Sequence, residues 1–194
     1  VDFMVMMPLG PQLYRAMGIN PSQFGWLVSS YNLSAAAFGL LMAFFLDRIN
    51  KRTALLNLFI CFMAGTFACG MANSYEQLLL SRGLVGAFGG VLTSVVYSVV
   101  ADLIPSSRRG AAIGIIVSAF SLSSVLGLPL SLHCANLYGW RAPFFAIVLA
   151  SIPILFGAYM LLPGLAPEPD GLRSTTVRQR LISLLANRLH LQCL

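Results

Sequence analysis

The sequence predicts an all-α membrane protein with six transmembrane helices, the first of which is truncated. Of its 194 residues, 58% are hydrophobic and only 9% are charged, whereas a soluble domain carries about 25% charged residues. The few charged residues are also absent from five long segments. A chain with so few charged residues cannot cover the surface of a soluble protein with polar groups. This composition argues against a soluble enzyme, a nucleic-acid-binding module and a disordered tail.

The charge-free segments give the number of helices. A membrane helix needs about 20 mostly apolar residues to cross a hydrocarbon core of about 30 Å. Each segment is therefore close to the length of one helix and too short for two. The segments without Asp, Glu, Lys or Arg are residues 16–46, 53–75, 83–101, 110–140 and 142–167. Within them we place helices near 24–46, 53–72, 77–101, 111–134 and 142–162.

A sixth apolar stretch, residues 1–13, precedes Arg15 and is too short to span a membrane. Because Val1 is not an initiator methionine, we expect the chain to begin inside its first helix. A cleaved signal peptide is the alternative, although no basic region or cleavage site precedes the stretch. Pro8, Gly10 and Pro11 predict that this helix is kinked or irregular.

Basic residues in the loops predict the orientation. Nine lie in the loops after the second and fourth helices or in the tail, and only Arg15 and Arg141 lie in the alternate loops. Because basic residues accumulate on the cytoplasmic side, the first helix is expected to run outward and the tail to be cytoplasmic. The nine are Arg48, Lys51, Arg52, Arg108, Arg109, Arg173, Arg178, Arg180 and Arg188.

The chain changes character after the sixth helix. The Pro- and Gly-rich segment 163–171 ends that helix, so residues 1–165 are predicted to form the transmembrane bundle and 166–194 a cytoplasmic linker. Apolar residues in the linker recur at helical spacing between arginines, which is typical of an interfacial helix on anionic lipid. A solvated linker is the alternative. The apolar residues are Val177, Leu181, Leu184, Leu185 and Leu189.

Two ionisable residues are predicted to lie inside the membrane, where a buried charge is costly and therefore a candidate for function. Asp2 lies about 15 Å inward from the outer end of its helix, near the bilayer midplane. A carboxylate there, beside an interrupted helix, is typical of proton or cation coupling, although it could simply hydrogen-bond a neighbour. Arg82 lies near the outer end of the fourth helix and could reach the interface or pair with an interior anion.

Two glycines favour an interior position for Arg82. Arg82, Gly86 and Gly90 recur at four-residue spacing and therefore share one helix face. A Gly-x-x-x-Gly pattern lets two membrane helices approach closely. We therefore expect helix packing at the glycines and a coupling, binding or gating role for Arg82.

Weaker polar candidates are Tyr31 and Asn32 on the second helix and Tyr97 on the fourth. They could contact protons or substrate, but such residues also support helix packing. The four cysteines lack metal-type spacing and are interpreted as small core residues. We therefore expect no metal and no cofactor.

Two short loops share one charge order: an acid, then a basic cluster, then an apolar helix. The two acids are 55 residues apart. Helices one to three and four to six therefore form a weak repeat, as in many secondary transporters. The residues are Asp47, Arg48, Lys51 and Arg52 in the first loop, and Asp102, Arg108 and Arg109 in the second.

The first loop resembles the signature of the major facilitator superfamily between its second and third helices. Asp47, Arg48, Lys51 and Arg52 match that signature, while Ala43 and Asn50 replace its two glycines. Asn tolerates left-handed backbone better than other non-glycine residues, so the turn is expected to be kept.

Three further patterns carry the resemblance. Arg82 with Gly86 and Gly90 resembles the family's fourth-helix motif, which is associated with proton coupling. Gly127-Leu128-Pro129 resembles the fifth-helix antiporter motif of drug-efflux branches, although Ser131 stands where small glycines often continue it. Gly139-Trp140-Arg141 followed by Phe144 is similar to the junction of helices five and six in arabinose-efflux-type permeases.

The resemblance implies the amino-terminal half of a twelve-helix transporter that works by alternating access. It favours proton-coupled efflux of a small organic solute of drug or sugar type, with an uptake symporter or facilitator as the alternative. Its partners would be the substrate, protons, a lipid bilayer such as the bacterial inner membrane, and a missing carboxy-terminal six-helix bundle. The two charged loops would form the cytoplasmic gate, and no enzymatic activity is expected.

Other functional classes fit less well. An intramembrane serine protease needs a nucleophilic serine in a Gly-x-Ser-Gly setting, and no such tetrapeptide occurs. A channel needs a re-entrant filter or a charged ring, and no short apolar hairpin is available. A truncated membrane fragment that does not transport by itself remains the third alternative.

Overall fold

A computed structural model describes residues 2–42 and 50–161, and within them it contains α-helices, one 3₁₀ turn and no strand. The all-helical class predicted from the sequence is confirmed. In the described part of the chain four helices, α4 to α7, are long and apolar enough to cross a membrane. Helix α3 is 22 residues long and carries no charged residue. The helices are α1 (Asp2–Val5), α2 (Gly10–Met17), α3 (Pro21–Met42), α4 (Lys51–Met71), α5 (Tyr75–Leu103), α6 (Ser106–Tyr138) and α7 (Ala142–Leu161).

Several predicted residues lie outside the described ranges. Residues 43–49 contain Ala43 and the gate candidates Asp47 and Arg48. The linker at 166–194 also lies outside them. What the sequence predicts for these residues therefore stays a prediction.

The first apolar stretch is divided into three pieces. After α1, a 3₁₀ turn at Met7–Leu9 carries Pro8, and α2 then runs to Met17 rather than ending near residue 13. Pro8 explains the break because its nitrogen cannot donate a helical hydrogen bond. Gly18, with φ 64°, ends α2 in the left-handed conformation that glycine adopts without strain. Arg15 therefore lies in the last turn of α2 and not in a loop.

Several residues predicted to lie in the charged loops belong to helices. Lys51 and Arg52 open α4, and Asp102 lies in the last turn of α5. Only Ile104 and Pro105 separate α5 from α6, so Arg108 and Arg109 belong to the first turn of α6.

The prediction of a left-handed turn at Asn50 is not supported, since its φ is −57°. Asn50 caps α4 instead: its side-chain oxygen accepts a hydrogen bond from the backbone N–H of Arg52 at 3.0 Å. An asparagine at this position satisfies a donor that the first turn leaves open. At the position where the signature has a glycine, Asn50 therefore begins the helix through a side-chain cap.

Glycines let α3 pack closely against α5. A Cβ placed on Gly90 would lie 2.7 Å from the Cβ of Ala35, and one placed on Gly86 would collide with the backbone carbonyl of Tyr31. On α4, a Cβ on Gly65 would lie 2.9 Å from a methyl group of Val85. Because α3 and α4 both approach α5 at this distance, α5 is the central helix of the bundle.

Helix α6 is the least buried of the four apolar helices α4 to α7. Of its 33 residues, only Ser131 and Ala135 are buried. Apolar side chains such as Ile115, 72% exposed, and Val125, 68% exposed, cover its surface. Five serines of α6 donate hydrogen bonds to carbonyls of their own helix, as Ser131 does to Gly127 at 2.6 Å. Their polar groups are therefore satisfied within the helix.

We predict that Gly86→Ala destabilises the protein by about 1–3 kcal/mol or more, because its Cβ would meet backbone of α3 that cannot move aside locally. Gly83→Ala is the matched control, since nothing lies within 4 Å of a Cβ at that position on the same helix. Thermal unfolding of the full-length protein in detergent measures both. Equal melting temperatures for the two variants would contradict the close approach of α3 and α5.

Candidate functional site

A buried ion pair joins the start of the chain to the central helix. Nη1 of Arg82 lies 2.8 Å from Oδ2 of Asp2 and donates a hydrogen bond to it. The side chains are 0% and 3% exposed, respectively. A charged pair so fully removed from solvent is costly to form, and it is retained where both charges are partnered.

Apolar packing positions both members of the pair. Val5, Met6 and Leu9, which follow Asp2, are at most 1% exposed and belong to the main apolar core. Arg82 lies one turn from Leu78 and one turn from Gly86 on the buried face of α5. The core therefore fixes the position of α1, which packs mainly against α6, so that the carboxylate and the guanidinium face each other.

Tyr31 from α3 covers the guanidinium of Arg82. The Arg82 Cζ lies 5.1 Å from the centre of the Tyr31 ring, which is a cation–π geometry. This contact depends on small residues, because a Cβ on Gly89 would lie 2.8 Å from the Tyr31 hydroxyl oxygen. The electron-rich ring supplies part of the stabilisation that a buried cation needs.

Cys69 from α4 completes the cluster. Its side chain is fully buried, and its thiol lies within electrostatic reach of both Arg82 and Asp2. Four elements, α1, α3, α4 and α5, thus meet at one point. We call Asp2, Tyr31, Cys69 and Arg82 the buried polar cluster.

Part of the hydrogen-bonding capacity of the pair is unused. Among the described residues, Oδ1 of Asp2 and both Nε and Nη2 of Arg82 are buried without a hydrogen-bond partner. A buried donor or acceptor of this kind is unfavourable, so the pair is less stabilised than a fully hydrogen-bonded one would be.

The described residues do not bring every predicted candidate to this cluster. Asn32 is exposed and Tyr97 is 39% exposed, so neither side chain lies with the buried pair. Gly127 and Pro129 lie on α6, where Pro129 is exposed inside the helix. Within residues 2–42 and 50–161, no group of His, Cys, Asp and Glu has the arrangement of a metal site.

A second set of contacts lies at the end of the bundle that contains Lys51, which we call the basic end. Nζ of Lys51 lies 2.6 Å from Oδ2 of Asp102. Nη2 of Arg52 donates to the carbonyl oxygen of Tyr159 at 2.7 Å, and its guanidinium lies over the Tyr159 ring. Nη2 of Arg109 donates to a carbonyl near the end of α5 at 2.7 Å.

Not every basic-end candidate has such a contact. Arg108 is exposed. Asp47 and Arg48 lie outside the described residues. The basic end therefore ties α4, α5, α6 and α7 together through three side chains, Lys51, Arg52 and Arg109.

Arg141 plays a similar part at the opposite end. Its Nη2 donates to the carbonyl of Ala72 at 2.9 Å and to Oδ1 of Asn73 at 2.8 Å. These contacts join the start of α7 to the end of α4. Sequence reasoning missed them. It did predict Cys69 as a core residue, which its burial confirms, but it did not place the thiol beside the ion pair. The four-residue spacing of Gly65 and Cys69 was the available signal for the buried face of α4.

Comparisons with a family model and with curated proteins point to the same family. The model of the Major Facilitator Superfamily matches residues 1–191. YceJ, an uncharacterised transporter of this type from Bacillus subtilis (strain 168), is 28% identical over 91% of this chain and 45% of that protein. The vacuolar membrane amino acid uptake transporter fnx2 of Schizosaccharomyces pombe is 33% identical over 72% of this chain and 23% of that protein.

A solved structure shows the same fold. The peptide transporter POT, as a mutant in complex with alafosfalin, superposes with a TM-score of 0.67 at 18% identity. The superposition covers 97% of this chain and 43% of that chain. The chain therefore spans less than half the length of these relatives.

We predict strong energetic coupling between Asp2 and Arg82. Arg82→Met alone leaves a buried carboxylate without its cation, which costs about 3–5 kcal/mol. Adding Asp2→Asn removes that charge and is expected to restore a large part of the lost stability. Thermal unfolding of the two single variants and the double variant measures the coupling, and strictly additive effects would contradict it.

Proposed function

The chain belongs to the Major Facilitator Superfamily, and we propose that it is the amino-terminal half of a secondary transporter that exchanges a small organic solute for protons. Its relatives in this family are membrane transporters. The buried Asp2–Arg82 pair is the observation that carries the proton-coupled part of the proposal.

Asp2 is the proposed proton-binding group. Its carboxylate is 3% exposed and is held by one hydrogen bond from Arg82. A proton on Asp2 removes the negative charge and releases Arg82, which then keeps its contact with Tyr31. Loss of the proton restores the ion pair. Two charge states of one buried pair thus favour two arrangements of α1 against α5.

The basic end is the proposed cytoplasmic gate. Lys51 and Asp102 join α4 to α5, and Arg52 joins α4 to the last turn of α7. In this proposal the contacts form when that end is closed and break when it opens. Asp47, Arg48, Arg108 and Arg109 belong to the same gate, with the tail at 166–194 on the cytoplasmic side of a bacterial inner membrane.

A second six-helix bundle is the proposed partner of this chain. The relatives are more than twice as long as the part that matches. The apolar surface of α6, with Phe120 55% exposed and Leu130 62% exposed, suits a lipid or helix contact. A substrate cavity between two such bundles is the arrangement on which alternating access depends.

Efflux is the proposed direction, supported by the partial match of Gly127-Leu128-Pro129 to an antiporter motif. Drug-like and sugar-like solutes are the proposed substrates on the same ground. Uptake is the second candidate, because fnx2 is by its name an uptake transporter for amino acids. The two directions differ in which membrane face must be acidified to drive accumulation.

We predict that Asp2→Asn uncouples transport from protons. In proteoliposomes of the full-length transporter, an imposed pH gradient should drive accumulation of a member of a labelled panel of drugs, sugars, amino acids and peptides. Asparagine cannot bind the coupling proton, so accumulation should fall about tenfold or more while gradient-free exchange continues.

Glu76→Gln is the matched control, because Glu76 is an exposed acid in the first turn of α5. It should leave gradient-driven accumulation unchanged. Full pH-driven accumulation by Asp2→Asn would show that Asp2 is not the coupling group.

We predict that charge reversal at the gate changes the rate of solute exchange. Asp102→Lys places two cations together and should change counterflow by a factor of about two to five, since a partly exposed pair is worth up to ~1 kcal/mol. The double variant Lys51→Asp/Asp102→Lys restores the attraction and should restore the rate. A double variant no better than the single one would argue against a gate at this pair.

A further inference from the structure

We propose that α7 contains a hinge at Pro153, and that residues 154–161 swing away from α4 when the contact between Arg52 and Tyr159 breaks. This inference rests on the proposed gate at the basic end and names the part of the bundle that moves there. It starts from a difference between the two ends of α7. One end is packed closely against α4, whereas the other meets α4 through the side chain of Arg52.

The first part of α7 is anchored in the bundle. A Cβ placed on Gly70 of α4 would lie 2.9 Å from Cζ of Phe145, which shows how closely the two helices approach there. Arg141, just before α7, donates to the carbonyl of Ala72 at 2.9 Å. All the buried residues of α7 also precede Pro153. They are Pro143, Phe144 and Ser151.

The last part of α7 is held differently. None of residues 154–161, all of which the structure describes, is buried. Tyr159 is 57% exposed. Nη2 of Arg52 donates to the carbonyl oxygen of Tyr159 at 2.7 Å, and its guanidinium lies 5.6 Å from the centre of the Tyr159 ring. Because both contacts come from one arginine side chain, they form and break together.

Pro153 lies between these two parts and weakens the helix there. Proline has no N–H, so the carbonyl of Leu149 lacks the donor that a helix normally supplies. The hydroxyl of Ser151 donates to the carbonyl of Ile147 at 2.7 Å, a type of contact that often bends helices. Since sharp kinks occur mostly at proline, Pro153 is the position at which α7 bends most easily.

A small change of bend is enough to break the contact with Arg52. Tyr159 lies about 9 Å beyond Pro153 along the helix axis. An increase of about 20° in the kink would therefore move Tyr159 by about 3 Å. The hydrogen bond from Arg52 would be lost, because such bonds are rarely longer than about 3.2 Å.

Movement of the whole of α7 is the alternative. It would also have to separate Phe145 from Gly70 and break the hydrogen bonds of Arg141. A bend at Pro153 leaves those contacts in place while it separates Arg52 from Tyr159. The two movements therefore differ in what happens at the end of α7 beside Arg141.

The test measures two distances between α4 and α7 in the full-length transporter by electron paramagnetic resonance. Spin labels are attached to introduced cysteines after the native cysteines have been replaced. Asn57→Cys with Met160→Cys reports on the basic end, and Met71→Cys with Ala146→Cys reports on the opposite end. All four positions are exposed, so the labels disturb little packing. Arg52→Met should lengthen the first distance by about 3–4 Å and leave the second unchanged.

Pro153→Ala assigns the hinge. Alanine supplies the missing N–H and stiffens the helix, so it should reduce the lengthening caused by Arg52→Met by half or more. It should also slow counterflow about twofold or more. Gly157→Ala is the matched control, because it favours helix within the moving part and nothing lies within 4 Å of a Cβ at Gly157. It should leave both distances as they are in the protein without it.

The outcomes separate the hinge from the gate. The hinge is overturned if both distances lengthen together in Arg52→Met, or if Pro153→Ala leaves the lengthening at the basic end undiminished. Altered counterflow in Arg52→Met with both distances unchanged would overturn the hinge and leave the gate in place. A longer distance at the basic end alone, with unaltered counterflow, would support the hinge and overturn the gating role of Arg52.

Discussion

The bundle is organised around the need to keep one buried cation partnered. Arg82 is 0% exposed on the central helix, where an isolated charge is strongly unfavourable. Asp2 neutralises it at 2.8 Å and Tyr31 covers its face at 5.1 Å. Tyr31 belongs to α3, and its approach to Arg82 requires small residues on α5 such as Gly86 and Gly89. The glycines and the ion pair are therefore parts of one arrangement.

Four further cations follow a common rule at the two ends of the bundle. A positive charge at the start of a helix is unfavourable, because the helix dipole is positive there. Each of the four reaches the end of an antiparallel neighbour, where carbonyl groups or an acid supply negative charge. The pairs are Lys51 with Asp102, Arg52 with Tyr159, Arg109 with Ala101 and Arg141 with Ala72. Helix starts and helix ends thus stabilise each other between neighbouring helices.

The sequence predicted the helices better than their contacts. Charge-free segments located the long helices because a membrane excludes charge along its whole thickness. The sequence also marked Asp2 and Arg82 as unusual, but their distance could not be predicted, since it depends on how α1 folds back onto α5. The role of Asn50 as a cap was missed because the same residue tolerates several backbone conformations. Backbone carbonyls that accept from Arg52 and Arg141 have no sequence signature at all.

Asp2 and Arg82 are 80 positions apart in the sequence, and this separation constrains the order of biosynthesis. Asp2 leaves the ribosome long before Arg82, so its carboxylate cannot meet the guanidinium until α5 has been made. The ion pair therefore forms only after α3 and α4 have been synthesised, and Asp2 must be accommodated without its cation until then.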